Sequence, residues 1–164
     1  MKFFNILIFL LAFVANVQAA QFEARVLRVS DGDTITVIDS QNQRAKVRFL
    51  GIDAPEFKQS YGKASLESLR RQIYSAGNKV TVVYDRRDGF GRIVGKVLAD
   101  DKDLNLEQIR RGMAWAFKRY FRDVAPSDRQ KYIEAEEMAR KEGKGLWSQN
   151  NPMPPWEWRR ENRR

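Results

Sequence analysis

The chain has 164 residues, enough for one domain with an ordinary core. It holds no cysteine and no histidine, which excludes disulfides, ordinary zinc sites, Ser-His-Asp triads and Cys-His pairs. A formal net charge of +9 points to a polyanionic partner, nucleic acid first, with anionic lipid or cell wall as alternatives.

The chain opens as a secretory signal peptide. One cation, Lys2, precedes an apolar run from Phe3 to Val14 that is too short for a membrane span. Val17-Gln18-Ala19 meets the small-x-small rule, so cleavage is expected after Ala19, or else after Ala20. Loss of Lys2 from the +9 leaves +8 on the mature chain. An exported, monomeric protein with no stable membrane insertion is expected, its domain spanning residues 20–147 and a Pro/Trp-rich basic tail spanning 148–164.

Phe22 to Val29 reads as a strand, and Asp31-Gly32 as a tight turn. Asp33 to Asp39 is a second strand, with Asp33, Ile35 and Val37 sharing one face. Arg44 to Leu50 is a third: Ala45, Val47 and Phe49 point one way and Arg48 the other. Gly51 and Pro55 then punctuate a turn carrying Asp53, Ala54 and Glu56. Leu66, Leu69 and Ile73 predict a helix from about Ala64 to Ser75. Lys79 to Tyr84 and Gly91 to Ala99 are further strands, separated by a charged turn from Asp85 to Gly89. Leu104 to Arg111 is a short helix, with Asn105 and Gln108 as its capping box. Ser127 and Gln130 form a second capping box, opening a helix that runs to Glu142. The three prolines after Trp147 predict a tail without regular structure. Five strands, a helix between the third and fourth, and later helices define a mainly β, α+β fold: a five-stranded OB-fold barrel with about three helices.

The two acidic turns carry the chemistry. If they meet, three or four carboxylates converge and call for a cation. Asp33, Asp53 and Glu56 are hard oxygen ligands or water holders, suited to calcium or magnesium. Arg48 and Arg92 are permanently charged forks for a phosphate. Metal, carboxylate and two arginines together suit phosphodiester hydrolysis by an activated water. The alternative is a non-catalytic OB-fold module for single-stranded nucleic acid, which has no need of all five side chains together.

The chain resembles the staphylococcal nuclease (thermonuclease) family of secreted OB-fold nucleases. The likeness rests on Asp31-Gly32-Asp33-Thr34-Ile35, on Arg48 to Glu56, on Asp88 to Gly95, and on Gly145-Leu146-Trp147. It implies a calcium ion held by Asp33, Asp53 and the carbonyl of Ala54, and a water oriented by Glu56. It implies that Arg48 and Arg92 hold the scissile phosphate of DNA or RNA, and that the products end in 3′-phosphates. Phe90 stands where the family often has tyrosine, and Tyr120 is the candidate base-stacking ring.

Overall fold

The computed structural model describes residues 19–162, so the predicted leader up to residue 18, and Arg163 and Arg164, lie outside the described residues. Strands β1 (Ala20–Asp31), β2 (Thr34–Asp39) and β3 (Arg44–Phe49) form an antiparallel meander, followed by the two-residue β4 (Ile52–Asp53). Helix α1 (Gly62–Ser75) leads to β5 (Lys79–Arg87) and β6 (Ile93–Ala99). β1 pairs with both β2 and β5, β5 pairs with β6, and β6 returns parallel to β3 through Val47 and Ile93. That last pairing closes a five-stranded barrel of OB type, to which β7 (Lys102–Asp103) adds a short edge. Register shifts between Val26 and Arg28 and between Val29 and Asp31 let the long β1 bend across two sides of the barrel.

The alternation read in β2 and β3 is the alternation that fills the barrel. Ile35, Val37, Val47 and Phe49 are all at most 1% exposed, joined by Val82 and Val97 from β5 and β6. Leu69 and Ile73 turn one face of α1 onto this core. Each such burial removes enough apolar surface to contribute about 2 kcal/mol. Beyond β7 come α2 (Leu104–Arg110), β8 (Trp115–Ala116), a 3-10 turn (Lys118–Asp123) and α3 (Pro126–Lys141). A second 3-10 turn (Gly145–Ser148) and α4 (Pro155–Glu161) complete the chain.

Three expectations are corrected. Asn105 and Gln108 are not a capping box, because Asp103 caps α2 by accepting the Leu106 N–H. Both are fully buried instead. Asn105 donates to the carbonyls of Leu50 and Gly95 and accepts from Val97 N–H, while Gln108 donates to the carbonyls of Gly32 and Ser65. Ser127 does not cap α3: Ala125 takes the cap position without a side-chain bond, and Pro126 sits in the first turn, where its missing N–H costs nothing. The tail is not irregular. Pro154 and Pro155 introduce α4, and prolines at a helix start preset the backbone rather than break it. Boundaries shift by a few residues elsewhere. Asp33 lies in the turn rather than in β2, and Asp85 to Arg87 continue β5 instead of forming a turn.

Candidate active site

Three turns at one end of the barrel build the site. Asp31 accepts the N–H of Asp33 at 3.1 Å, and Gln108 holds the Gly32 carbonyl at 2.8 Å, so the β1–β2 turn is fixed from both sides. β3 then delivers Arg48, which lies opposite Thr34 on β2 and beside Val94 on β6. Gly51 makes the reversal that brings Asp53 back to the same end. Its φ of +74° is left-handed, and an added Cβ would stand 2.6 Å from Val124. β4 pairs with β8, setting Asp53 opposite Trp115.

Arg48 is the keystone of the result. One guanidinium nitrogen lies 2.9 Å from Asp33 Oδ2 and the other 2.9 Å from Asp53 Oδ1. The backbone N–H of Ala54 also donates to Asp33 Oδ2, at 2.5 Å. Asp33 and Asp53 are almost wholly buried, at 4% and 1% exposure. Burial pushes the Asp33 carboxyl well above its ordinary value, although Arg48 opposes that shift, and the neighbouring Asp31 and Asp53 add to it.

Glu56 does not touch this pair directly. Its backbone is held in a tight loop: Glu56 N–H donates to the Gln59 side chain at 3.1 Å and the Glu56 carbonyl accepts Gln59 N–H at 2.8 Å. Its carboxylate meets Arg159 Nη1 at 2.8 Å, and the same guanidinium contacts both oxygens of Asp53, at 3.1 and 2.7 Å. Arg92 is also nearby but separate. Its Nε lies 2.7 Å from Asp88 Oδ2, and its guanidinium lies 5.5 Å from the centre of the Phe90 ring.

All these groups line one cleft of about 780 Å³, shared with Arg86, Arg87, Phe117 and Tyr120. Phe90 is 87% exposed at its rim. Tyr120 is 41% exposed and leans on Phe117 with ring centres 4.9 Å apart. The candidate site residues read from the sequence, Asp33, Arg48, Asp53, Ala54, Glu56, Phe90, Arg92 and Tyr120, therefore all reach the same cleft. The expected convergence of carboxylates is looser than foreseen: among the described residues no three acidic side chains close into a ready ion cage. Guanidinium groups separate them.

The donor set nevertheless fits a divalent cation. Asp33, Asp53 and Glu56 bring three carboxyl groups against Arg48 and Arg159, one acidic side chain more than basic ones. Asp33 is buried with its proton affinity raised by desolvation, the state that a hard cation would relieve.

Arg159 was not foreseen. The signal was the three-residue spacing of Trp156 and Arg159 behind Pro154-Pro155, which puts both on one face of a short helix.

An OB-type barrel with carboxylates and arginines gathered in a cleft at one end is an arrangement suited to a hydrolase acting on phosphodiesters. Comparison with known proteins specifies which. The sequence model described as staphylococcal nuclease homologue matches residues 46–149. A protein of Escherichia coli named "Uncharacterized endonuclease" is 42% identical over 145 residues, covering 87% of this chain and 88% of the relative. An "Uncharacterized endonuclease" of Haemophilus influenzae is 37% identical over 139 residues, covering 85% and 74%. A "Micrococcal nuclease" of Shigella flexneri is 36% identical over 150 residues, covering 86% and 82%. The chain belongs to the staphylococcal nuclease family.

Proposed function

We propose that this protein is an exported, monomeric, calcium-dependent nuclease that hydrolyses phosphodiester bonds of DNA and RNA and leaves 3′-phosphates. The observation that carries the reading is Arg48 held between Asp33 and Asp53, both at 2.9 Å, in a cleft that also contains Arg92 and Glu56. The side chains of Asp33 and Asp53 and the carbonyl of Ala54 would hold the ion. A calcium ion held there would supply positive charge that stabilises the charge developing on the reacting phosphate. Glu56 orients that water and takes up its proton. It lies at the open side of the cleft, its side chain 34% exposed, where water and substrate can enter. Arg48 and Arg92 bind the phosphate oxygens, and their fixed forks favour the extra charge of the pentacoordinate state over the ground state. With no histidine in the chain, no imidazole sets an acid limb, and activity should rise towards alkaline pH. Phe90 and Tyr120, exposed in the same cleft, would contact the substrate, Tyr120 by stacking on a base.

The test is purified mature protein on plasmid DNA and on RNA, with calcium or with chelator. Cleavage of both only with calcium, giving 3′-phosphate ends, supports the reading. Full activity in chelator removes the metal from it. Tight binding without cleavage in calcium replaces it with the binding-module alternative. Export rests on the leader read in the sequence; no helix among the described residues is long and apolar enough to cross a membrane. Mass spectrometry of the exported protein should give Ala20 or Gln21 as its first residue, and a retained Met1 to Ala20 segment overturns that expectation. Sedimentation should give one chain per particle.

A further inference from the structure

The chain after Trp147 is seated on the barrel, and it brings one side chain into the cleft. Tyr61 and Ser148 share a hydrogen bond of 2.7 Å, Ser60 donates to Gln149 at 2.7 Å, and Gln59 donates to the Met153 carbonyl at 2.7 Å. Pro155 is buried, and the Trp156 ring lies flat on Phe117, with centres 5.2 Å apart and planes 9° from parallel. Trp156 also packs edge-on to Trp115 at 5.5 Å. None of these contacts involves Arg159. The segment is therefore held by aromatic packing and by side-chain hydrogen bonds that do not depend on Arg159, so its arginine reaches the cleft from a helix with other attachments.

Arg159 grips both oxygens of Asp53 and one of Glu56. A guanidinium keeps its charge at any ordinary pH, so it is a fixed cation on these carboxylates. The atoms it covers are those that the proposed function assigns to the metal and to the water. A bound divalent ion and this guanidinium would draw on the same carboxylate charge. When the ion binds, the guanidinium must let go, while α4 stays anchored beside Phe117. The released fork remains in a cleft that also holds Arg48 and Arg92, the two cations that the proposed function assigns to phosphate.

We propose that Arg159 is a third substrate-binding arginine of the nuclease site, parked on Asp53 and Glu56 in the metal-free protein and turned to a phosphate of the bound nucleic acid once the ion occupies the carboxylates. The inference rests on the proposed calcium-dependent nuclease activity and adds to it a residue from outside the barrel. Two consequences follow from one side chain. Parking lowers the apparent affinity for calcium, because the ion must displace the guanidinium. Release gives the substrate one more charged, bidentate contact.

The experiment uses the mature chain as wild type, Arg159→Gln and Arg160→Gln. The last removes the same charge from the exposed neighbouring position, outside the cleft. Calcium alone is titrated by calorimetry without nucleic acid, and kcat and KM are then measured on single-stranded DNA at saturating calcium. In Arg159→Gln, calcium should bind about tenfold more tightly, the effect of freeing a site blocked nine times in ten. At saturating calcium, kcat/KM should fall about ten- to a hundredfold, chiefly through KM, as expected for a lost charged hydrogen-bond donor. Arg160→Gln should change neither quantity beyond the small general loss of field. Melting curves and tryptophan fluorescence report whether α4 stays in place. If Gln unseats it, Arg159→Lys decides by the same two readings, since a lysine keeps the charge and loses the fork. Unchanged calcium affinity overturns the parking. Unchanged or faster cleavage in Arg159→Gln overturns the phosphate role and leaves a plug. A wild type that neither binds calcium nor cuts overturns the nuclease reading itself, whatever the variants do.

Discussion

Asp88 holds Arg92 twice, accepting its side-chain Nε at 2.7 Å on one oxygen and its backbone N–H at 3.0 Å on the other. The Asp88 N–H answers by donating to the Arg92 carbonyl at 2.9 Å, so one residue closes the turn and aims the fork. Asp88→Ala should therefore leave the barrel stable and lower kcat about ten- to a hundredfold, the cost of a catalytic group displaced by about 1 Å. Parallel kcat and melting measurements check this; an unaltered kcat would show that Arg92 does not need the clasp. Burial alone would raise Asp88, but the hydrogen bonds from the Arg92 side chain and from the N–H groups of Arg92 and Phe90 outweigh it and lower its pKa. The clasp is thus present above the ordinary carboxylate pKa, and it is lost only as pH falls through the lowered value.

The Glu56 backbone is fixed by a packing constraint as well as by its hydrogen bonds to Gln59. A Cβ on Gly62 would lie 1.9 Å from the Glu56 carbonyl oxygen, a backbone atom that cannot step aside alone. Gly62→Ala should push the Glu56 loop outwards and reduce kcat while leaving Arg48, Asp33 and Asp53 in place. Overpacking of this kind typically costs about 1–3 kcal/mol of stability. Denaturant melting beside kcat checks it, and a variant with wild-type kcat would mean that the loop absorbs the methyl group without moving the carboxylate.

The barrel was legible because its strands follow the period-two rule. Ile35 with Val37, and Val47 with Phe49, are read as core from parity alone and are core. The cleft was legible because Asp33, Arg48, Asp53 and Arg92 sit at strand ends beside turn residues. Asn105 and Gln108 misled because a capping box and a buried polar network use the same residue types, and only the tertiary partners, Leu50, Gly95 and Gly32, distinguish them. Arg159 was hidden because α4 is seven residues long and its place depends on Phe117 and Trp115, which are distant in sequence. The loose carboxylate cluster could not be foreseen for the same reason, since Arg159 stands within it.

Asp103 offers a test of burial away from the cleft. It caps α2 at Leu106, lies 3.2 Å from the Tyr132 hydroxyl, and faces Lys96 at 3.9 Å, with Asp128 beyond. Burial raises its pKa above the ordinary value, in spite of the Leu106 N–H, Lys96 and Tyr132. The folded state therefore holds the proton more firmly than the unfolded chain does. That contribution to stability is complete below the ordinary pKa and disappears as pH rises through the folded one. Asp103→Asn keeps a capping oxygen and cannot ionise. Its Tm relative to wild type should become more favourable as pH rises from the ordinary carboxylate value through the raised one. A difference that stays flat as pH rises above the ordinary carboxylate value would show that Asp103 titrates as an ordinary carboxylate.

Arg48 serves the fold and the proposed chemistry with the same two contacts, and the two roles can be separated. Its side chain is 16% exposed and spans Asp33 and Asp53, which have almost no access to water. Arg48→Ala leaves buried Asp33 without a guanidinium and Asp53 with Arg159 alone, and removing one partner of a buried pair typically costs about 3–5 kcal/mol. Calcium should then rescue the fold more than it stabilises wild type, because the ion replaces the missing charge. At a hundredfold excess over Kd, ligand binding contributes about 2.7 kcal/mol. Rescue of the fold should not rescue the rate. The phosphate has lost a donor that acts most strongly as charge develops, so kcat should remain about a hundred- to a thousandfold down in saturating calcium. Arg48→Lys should recover part of the metal-free stability, since an ammonium still lies near the carboxylates, but little of kcat, since it cannot form two parallel bonds. The measurements are Tm with and without calcium, and kcat at saturating calcium, for both variants. A near wild-type kcat in Arg48→Ala would remove this residue from the phosphate site and leave it only the task of holding Asp33 and Asp53 together.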